Sequence, residues 1–279
     1  MRHDQHDDPT IEDHHRGLQF DLPKLISRRR AVTVFAGSIG SLALAACGSS
    51  SDGGSGAAAT TPATTASTSA GGDATTEIPD ETAGPFPGDG SNGPNVLAES
   101  GVVRSDITKS IGDLSGTAGG VPTTIEMTLL DVAGGGKPLA GAAVYIWHCD
   151  REGRYSMYDI ADQNYLRGVQ ETGSDGKVTF KSIFPAAYSG RWPHIHFEVY
   201  ESVDAATGSG AKLKTSQIAL PEAACQAVYA TSGYEQSVQN LAQTSLDSDM
   251  VFSDGYASEL AKTSGDAGSA IMVKLNVGV

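Results

Sequence analysis

The segment PHIHFEVY holds two histidines, His194 and His196, that are two residues apart in a run of strand-forming residues. In a β-strand the side chains alternate between faces, so Ile195 and Phe197 point to one face and both histidines to the other. Residues two apart lie roughly 6.5–7 Å from each other, which lets two imidazoles approach one metal ion. The pair fits a polar, solvent-exposed face of an edge strand equally well, so a metal site requires further ligands nearby.

An arginine and a tyrosine precede the pair at regular spacing. Arg191 lies three residues before His194, and Tyr188 lies three residues before Arg191. An arginine beside two neutral imidazoles suits a site that handles negative charge. A phenol near a metal cation can lose its proton, because the positive charge favours the phenolate. Two imidazoles with phenolate oxygen form a ligand set that matches ferric iron better than zinc or copper.

The segments that must position these residues read as short strands. They are TTIEMTLLDV, AAVYIWHCD, GKVTFKSIF, HIHFEVYES, LKTSQIAL and AIMVKLNV. Alternating or continuous apolar runs of this length, separated by turn signals, are typical of a sandwich. PEAACQAVYAT begins with Pro221 and contains good helix formers, so it predicts a short helix. We expect an all-β protein, a β-sandwich of mixed-topology sheets with short helical insertions.

The first 46 residues have the features of an export signal and are excluded from the fold prediction. An arginine cluster, Arg28 to Arg30, precedes a mildly apolar run from Ala31 to Ala46, and this arrangement resembles a twin-arginine signal. The run ends in LAAC, which resembles a lipobox, so Cys47 is a candidate for lipidation and membrane attachment. The alternative is an ordinary cleaved signal peptide in which Cys47 has no role.

Residues 47–77 are rich in Gly, Ser, Thr and Ala without apolar periodicity, which predicts a flexible tether. Residues 78–279 then form one domain. The segment 1–46 holds six basic and six acidic residues, so the net charge of −14 belongs to residues 47–279. An acidic surface argues against nucleic acid as a partner. The predicted location is outside the cytoplasm, anchored by lipid to the outer face of the bacterial membrane.

Beyond Cys47 the chain has two cysteines, Cys149 and Cys225. In an exported domain the simplest interpretation is a disulfide between them. The alternative is a pair of metal-binding thiolates, although the two residues lack the close spacing that such ligands usually have. We therefore expect a disulfide.

Several segments resemble, in the same order, landmarks of the intradiol ring-cleavage dioxygenases, the family of catechol 1,2- and protocatechuate 3,4-dioxygenases. They are ETAGPFPGDG, VVRSDI, HCDREGRYSMY, YLRGVQETGSDGKVTF, FPAAYSGRWPHIHFEVY and KTSQIAL. The resemblance covers about residues 81–220 and implies a β-sandwich with a non-haem Fe(III) bound by two tyrosines and two histidines. The tether region has no helical pattern, so we expect the chain to lack the helical dimerisation segment of the catechol enzymes. This favours a monomer.

Matched position by position, the resemblance implies a ligand set and two further site residues. The implied iron ligands are Tyr155, Tyr188, His194 and His196. Tyr188 would be the ligand that substrate displaces, Arg191 would stabilise negative charge on the activated ring, and Gln217 would line the pocket. Tyr158 competes with Tyr155 for the first position, and its context favours a packing role. His148 is expected to be a hydrogen-bonded structural residue.

The function implied is cleavage of a catechol-type diol between its hydroxyls with O2, releasing a muconate-type diacid. Two alternatives differ in class or activity. One is a lipid-anchored β-sandwich that binds a partner and does no chemistry, since fold alone does not determine function. The other is a dioxygenase-like protein that has kept its metal and lost turnover.

Overall fold

The computed structural model describes residues 76–279, which form two β-sheets around a shared hydrophobic core. The strands are β1 (Pro122–Asp131), β2 (Lys137–Pro138), β3 (Ala143–Trp147), β4 (Arg167–Glu171), β5 (Lys177–Ile183), β6 (His194–Tyr200), β7 (Lys212–Ala219), β8 (Lys262–Asp266) and β9 (Ala270–Gly278). Every segment that was predicted to be a strand contains one of them. The predicted all-β sandwich is confirmed.

Three short α-helices and a 3₁₀ turn connect the later strands. They are α1 (Val203–Thr207), α2 (Glu222–Tyr229), α3 (Glu235–Leu241) and the turn Phe252–Asp254. Helix α2 begins directly after Pro221, whose fixed φ suits the entry into a helix. The helical insertion predicted at PEAACQAVYAT is therefore confirmed.

The first sheet has mixed topology. Strand β1 pairs antiparallel with β2 and β5 and parallel with β9, and β9 pairs antiparallel with β8. The parallel pair joins residues far apart in the chain, for example Thr123 and Ile271. Alternate side chains such as Ile125 and Met127 enter the core, as their alternating pattern predicted.

The second sheet is antiparallel, in the order β4-β3-β6-β7, and it carries the histidine pair on β6. Ile195, Phe197 and Val199 face the core, while His194 and His196 lie on the opposite face. All seven residues of β6 are buried. Strand β6 is thus a central strand with both faces covered, and the alternative of a solvent-exposed edge strand does not hold.

The segment before β1 covers the outer face of this sheet. The hydroxyl of Tyr145 on β3 donates to the carbonyl of Pro87 at 2.6 Å, and Val96, Leu97 and Val102 pack in one cluster with Trp147. Residues that resemble the family's entry segment therefore lie over the face that carries the histidines. This cover makes the site a buried one.

The predicted disulfide between Cys149 and Cys225 is wrong, because both thiols are free and buried. The two side chains belong to different hydrophobic clusters. The Sγ of Cys149 contacts the Ala186 carbonyl at 3.7 Å, and the Sγ of Cys225 contacts the Leu220 carbonyl at 3.9 Å. Burial raises the pKa of each thiol, so both stay protonated. They are packed core residues and not a covalent crosslink.

The signal segment, most of the tether and Cys47 lie outside the described residues. Within residues 76–279 no helix is both long and apolar enough to span a bilayer.

Candidate metal centre

The two histidines of β6 converge through their Nε2 atoms. The Nε2 atoms of His194 and His196 lie 3.0 Å apart, and both rings are buried. The Nδ1 of His194 lies 2.5 Å from the Trp192 carbonyl oxygen, which can only accept a hydrogen bond. His194 therefore carries its proton on Nδ1 and presents the lone pair of Nε2 to the site. Metal-binding histidines commonly make this bond to a backbone carbonyl.

Two tyrosines approach the histidines, and their rings come from two different loops. The Oη of Tyr188 lies 3.1 Å from the Nε2 of His194. The ring of Tyr155 lies 6.1 Å from that of Tyr188 and 6.3 Å from that of His196, measured between centroids. Tyr155 belongs to the loop between β3 and β4, and Tyr188 to the loop between β5 and β6. The structure thus brings together all four side chains that the resemblance assigned as ligands.

Burial sets the protonation states of these four groups. It lowers the pKa of His194, with a further contribution from the Arg191 charge, and it lowers the pKa of His196. Burial also raises the pKa of Tyr188 to about 12 and raises that of Tyr155 well above its usual range. The imidazoles are therefore in the neutral form that a metal requires. The phenols would ionise only against a strongly charged cation.

Several observations test whether this donor set fits a metal. The Oη of Tyr155 is buried and has no hydrogen-bond partner, and such an orphaned group needs an explanation. Among residues 76–279, no group of three or more His, Cys, Asp or Glu side chains could hold a metal ion. A metal at the histidine pair would therefore need other donors, and the two phenols supply them. Two imidazoles and two phenolate oxygens fit ferric iron.

Neighbouring residues hold His196 in place. The ring of Trp147 stacks on it at 4.9 Å with an interplanar angle of 3°. Gly84 lies close enough that a Cβ there would stand 3.2 Å from the Cε1 of His196. Gly84 has φ +69°, a left-handed conformation that glycine adopts without strain. Sequence reasoning did not single out Gly84, although it lies in the quoted segment ETAGPF.

Arg191 lies beside the four donors and is held by a carboxylate that sequence reasoning missed. Its Nε donates to the Oδ2 of Asp249 at 3.0 Å. Asp249 comes 58 residues later in the chain, in the segment DSDM, where its spacing gives no signal. The side chain of Asp249 has no solvent exposure. Arg191 is thus part of a buried ion pair.

Gln217, on β7, is buried with both ends of its amide engaged. Its Oε1 accepts from the Nη2 of Arg191 at 2.7 Å, and its Nε2 donates to the Thr82 carbonyl at 2.9 Å. Gln217 lies opposite His196 where β7 pairs with β6. Gln217 therefore connects Arg191 to the entry segment. The resemblance implied a different role for Gln217, as a residue that lines the pocket.

The two remaining residues considered from the sequence have other partners. The hydroxyl of Tyr158 donates to the Oδ1 of Asn92 at 2.7 Å and accepts from the Gly88 amide at 2.9 Å. His148 is buried and bonded on both ring nitrogens, to the Cys149 carbonyl and to the hydroxyl of Ser182. His148 is the structural residue that was predicted.

The sequence matches a family model described as Dioxygenase over residues 92–206. That range contains all four donors and Arg191. The chain is also similar to catechol 1,2-dioxygenase 1 of Acinetobacter lwoffii, with 46% identity over 57 residues, 19% of this chain and 18% of that protein. Hydroxyquinol 1,2-dioxygenase of Nocardioides simplex is 31% identical over 109 residues, 33% of this chain and 36% of that protein. The matches thus span between about a fifth and about a third of these relatives.

Solved structures extend the likeness to the whole described domain. An intradiol ring-cleavage dioxygenase from Tetranychus urticae has a TM-score of 0.56 and 25% identity, and the alignment covers 73% of this chain and 94% of that one. The two-sheet fold, the matched sequence segment and the converging donors all agree with a likeness to this class of enzyme. In sequence and in fold, this chain is similar to the intradiol ring-cleavage dioxygenases.

Proposed function

We propose that this protein binds a non-haem ferric ion and cleaves catechol-type diols with O2 between the two hydroxyls, releasing muconate-type diacids. The observation that carries the proposal is the convergence of one buried and one half-buried phenol with two buried, neutral imidazoles beside a buried arginine. A binding module without chemistry has no reason to gather this set. When bound, ferric iron would supply Lewis acidity toward the diol oxygens.

Within this proposal Tyr188 would be one of the residues that hold the iron, and the one that gives way to substrate. Its ring is half-buried, whereas Tyr155 is fully buried, so Tyr188 is the phenol that an incoming diol reaches more readily. The phenolate Oη of Tyr188 would accept a proton from a diol hydroxyl, because burial raises its pKa to about 12 and makes it a strong base. Tyr155 and the two histidines would keep the metal in place.

Arg191 has the second role in the chemistry. Removing protons from the diol leaves negative charge on the ring, and a buried guanidinium beside the site stabilises that charge more strongly than it could in water. The surrounding aromatic side chains exclude water and provide an apolar surface for the ring. Phe86, whose ring lies 5.0 Å from Tyr155, is one of them.

The proposal is tested by an anaerobic visible spectrum of the purified protein with and without catechol, together with metal analysis. We expect a tyrosinate-to-iron absorption band that shifts when catechol is added and decays when air is admitted. With ¹⁸O2, both labelled atoms should appear in the diacid. A protein that stays colourless and iron-free after reconstitution would refute the metal site, and quinone formation without ¹⁸O incorporation would refute ring cleavage.

We also propose that the protein is exported and held at the outer face of the membrane by a lipid on Cys47. The arginine cluster, the apolar run and LAAC support this proposal. Replacing Cys47 with Ala should move the protein from the membrane fraction to the soluble fraction without changing its folded domain. A membrane-bound Cys47→Ala protein would contradict it.

A further inference from the structure

The guanidinium of Arg191 is held from two directions. Its Nε and Nη2 donate to the two carboxylate oxygens of Asp249 at 3.0 and 3.4 Å, and Nη2 also donates to Gln217 at 2.7 Å. The remaining nitrogen, Nη1, has no hydrogen bond to any other residue in the described part of the chain. A planar guanidinium that is held at two of its three nitrogens has one orientation. The direction of Nη1 is therefore set by Asp249 and Gln217, which hold the other two nitrogens.

Asp249 also organises the segment around itself. Its Oδ2 accepts the Trp192 amide at 2.6 Å, and its Oδ1 accepts the amides of Val251 and Phe252 at 2.9 and 3.3 Å. One buried carboxylate therefore joins the loop of Arg191 to the turn that follows Asp249. A buried carboxylate with this many donors is satisfied, and its charge is matched by Arg191.

The same turn places an aromatic ring under both the arginine and a histidine. The Cζ of Arg191 lies 6.0 Å from the ring centroid of Phe252. The centroid of the Phe252 ring lies 6.5 Å from that of His194. The turn that Asp249 begins thus contacts two members of the candidate site, although it is distant from both in sequence.

We propose that Asp249 is a positioning residue for ring cleavage. It holds the Arg191 guanidinium in the orientation that leaves Nη1 free to donate to the negative charge that develops on the bound diol. This inference rests on the proposed function for the identity of the substrate. It rests on the ion pair itself for the geometry, so the two parts can be tested separately.

The geometric part is tested on the protein without iron. The ¹⁵N NMR signal of the Arg191 Nε–H is assigned by its loss in Arg191→Lys, and its hydrogen exchange with solvent is then measured. In the native protein we expect a protected signal, and in Asp249→Asn we expect exchange to be at least roughly tenfold faster, because a buried charge-assisted bond is removed. Equal protection in both proteins would overturn the inference.

The catalytic part is tested on the iron-loaded protein. We expect Asp249→Asn to lower kcat roughly 10- to 100-fold, the loss typical of a small displacement of a reacting group. The Kd for 4-nitrocatechol, read from the visible spectrum, should change less than about threefold, because the metal ligands are untouched. Asp249→Glu should recover part of kcat. An unchanged kcat in Asp249→Asn would overturn the inference.

Glu198→Gln is the matched control. Glu198 is also a fully buried carboxylate paired with a cation, Lys212 at 2.7 Å, and it lies on the same face of β6 beyond the histidines. We expect this variant to lose stability and keep its kcat. Equal losses of kcat in Glu198→Gln and Asp249→Asn would mean that any buried ion pair matters equally, and would overturn the positioning role.

If Asp249→Asn does not fold, Arg191→Lys is the variant that tests the positioning role instead. This variant keeps a positive charge beside Asp249 and removes the planar guanidinium. We therefore expect a folded protein whose kcat falls as much as that predicted for Asp249→Asn. Full activity in Arg191→Lys would overturn the inference. If the native iron-loaded protein cleaves no diol, the proposed function fails, and the exchange measurement alone decides whether Asp249 holds the arginine.

Discussion

At the scale of single residues, the roles of Tyr155 and Tyr158 separate by their hydroxyl partners. The Tyr155 hydroxyl is buried and unpartnered, whereas the Tyr158 hydroxyl makes two hydrogen bonds. A hydroxyl kept in an apolar site without a partner destabilises the metal-free fold, so it needs a reason to be there. Metal ligation is that reason in the proposed function.

We predict opposite effects for Tyr155→Phe and Tyr158→Phe. Tyr155→Phe should lower iron affinity at least roughly 10-fold, since even indirect supports of a metal site contribute that much, while leaving the stability of the metal-free protein unchanged or higher. Tyr158→Phe should retain iron and lose about 1 kcal/mol of stability through its hydrogen bonds. Iron titration and thermal unfolding of both proteins measure this, and full iron affinity in Tyr155→Phe would contradict it.

At the scale of elements, the strand period predicted which faces the residues of β6 occupy, because that period is a local property of the backbone. The identity of its neighbours is not local. The pairing of His196 with Trp147 on one side and Gln217 on the other depends on sheet order, which no spacing within HIHF encodes. Asp249 could not be predicted for the same reason. The disulfide was wrong because cysteine count says nothing about which cluster each side chain enters.

The entry segment before β1 gives a prediction at this scale. Gly84 and Gly112 have nearly the same positive φ, 69° and 68°, so alanine at either should cost about 1–2 kcal/mol of backbone strain. A Cβ at Gly84 would press on the Cε1 of His196, whereas one at Gly112 would make an ordinary contact at 3.8 Å. Both variants should therefore melt at lower temperature, and only Gly84→Ala should alter the iron spectrum.

Titrations with iron under identical conditions check this prediction. Identical spectra and iron affinities in the two alanine variants would show that the entry segment only covers the histidines. A change confined to Gly84→Ala would show that the segment also sets the position of the His196 ring.

At the scale of the whole molecule, buried ionisable groups make stability depend on pH. Burial raises the pKa of Glu259 to about 9, with a further contribution from Glu81, and one of its carboxylate oxygens has no partner. The pKa of Glu259 is higher in the folded protein than in the unfolded chain. Its contribution to the free energy of unfolding is therefore fully present below the unfolded pKa, about 4.5, and is lost as pH rises through about 9.

We therefore predict that Glu259→Gln becomes more stable relative to the native protein as pH rises. The difference should grow by at most about 1.4 kcal/mol per pH unit, the value for one proton, and it should be smallest near about pH 5. Chemical denaturation of both proteins at several pH values measures it. A difference that is constant across this range would contradict the prediction.

The two free thiols make a second prediction at this scale. Because Cys149 and Cys225 are buried and protonated, we expect iodoacetamide to modify neither in the folded protein and both after unfolding. Reductant should leave the melting temperature unchanged. Mass spectrometry of the modified protein reads the result, and a melting temperature that falls on reduction would contradict it.

The parallel pairing of β1 with β9 has a consequence for the order in which the domain can form. Strand β9 lies between β1 and β8, so the first sheet has no continuous core until the residues up to Gly278 have left the ribosome. Pairs such as Thr123 with Ile271 close a long loop, which slows folding. During synthesis the histidine strand would thus exist before the sheet against which it packs is complete. Assembly of the site would then wait for the synthesis of β9.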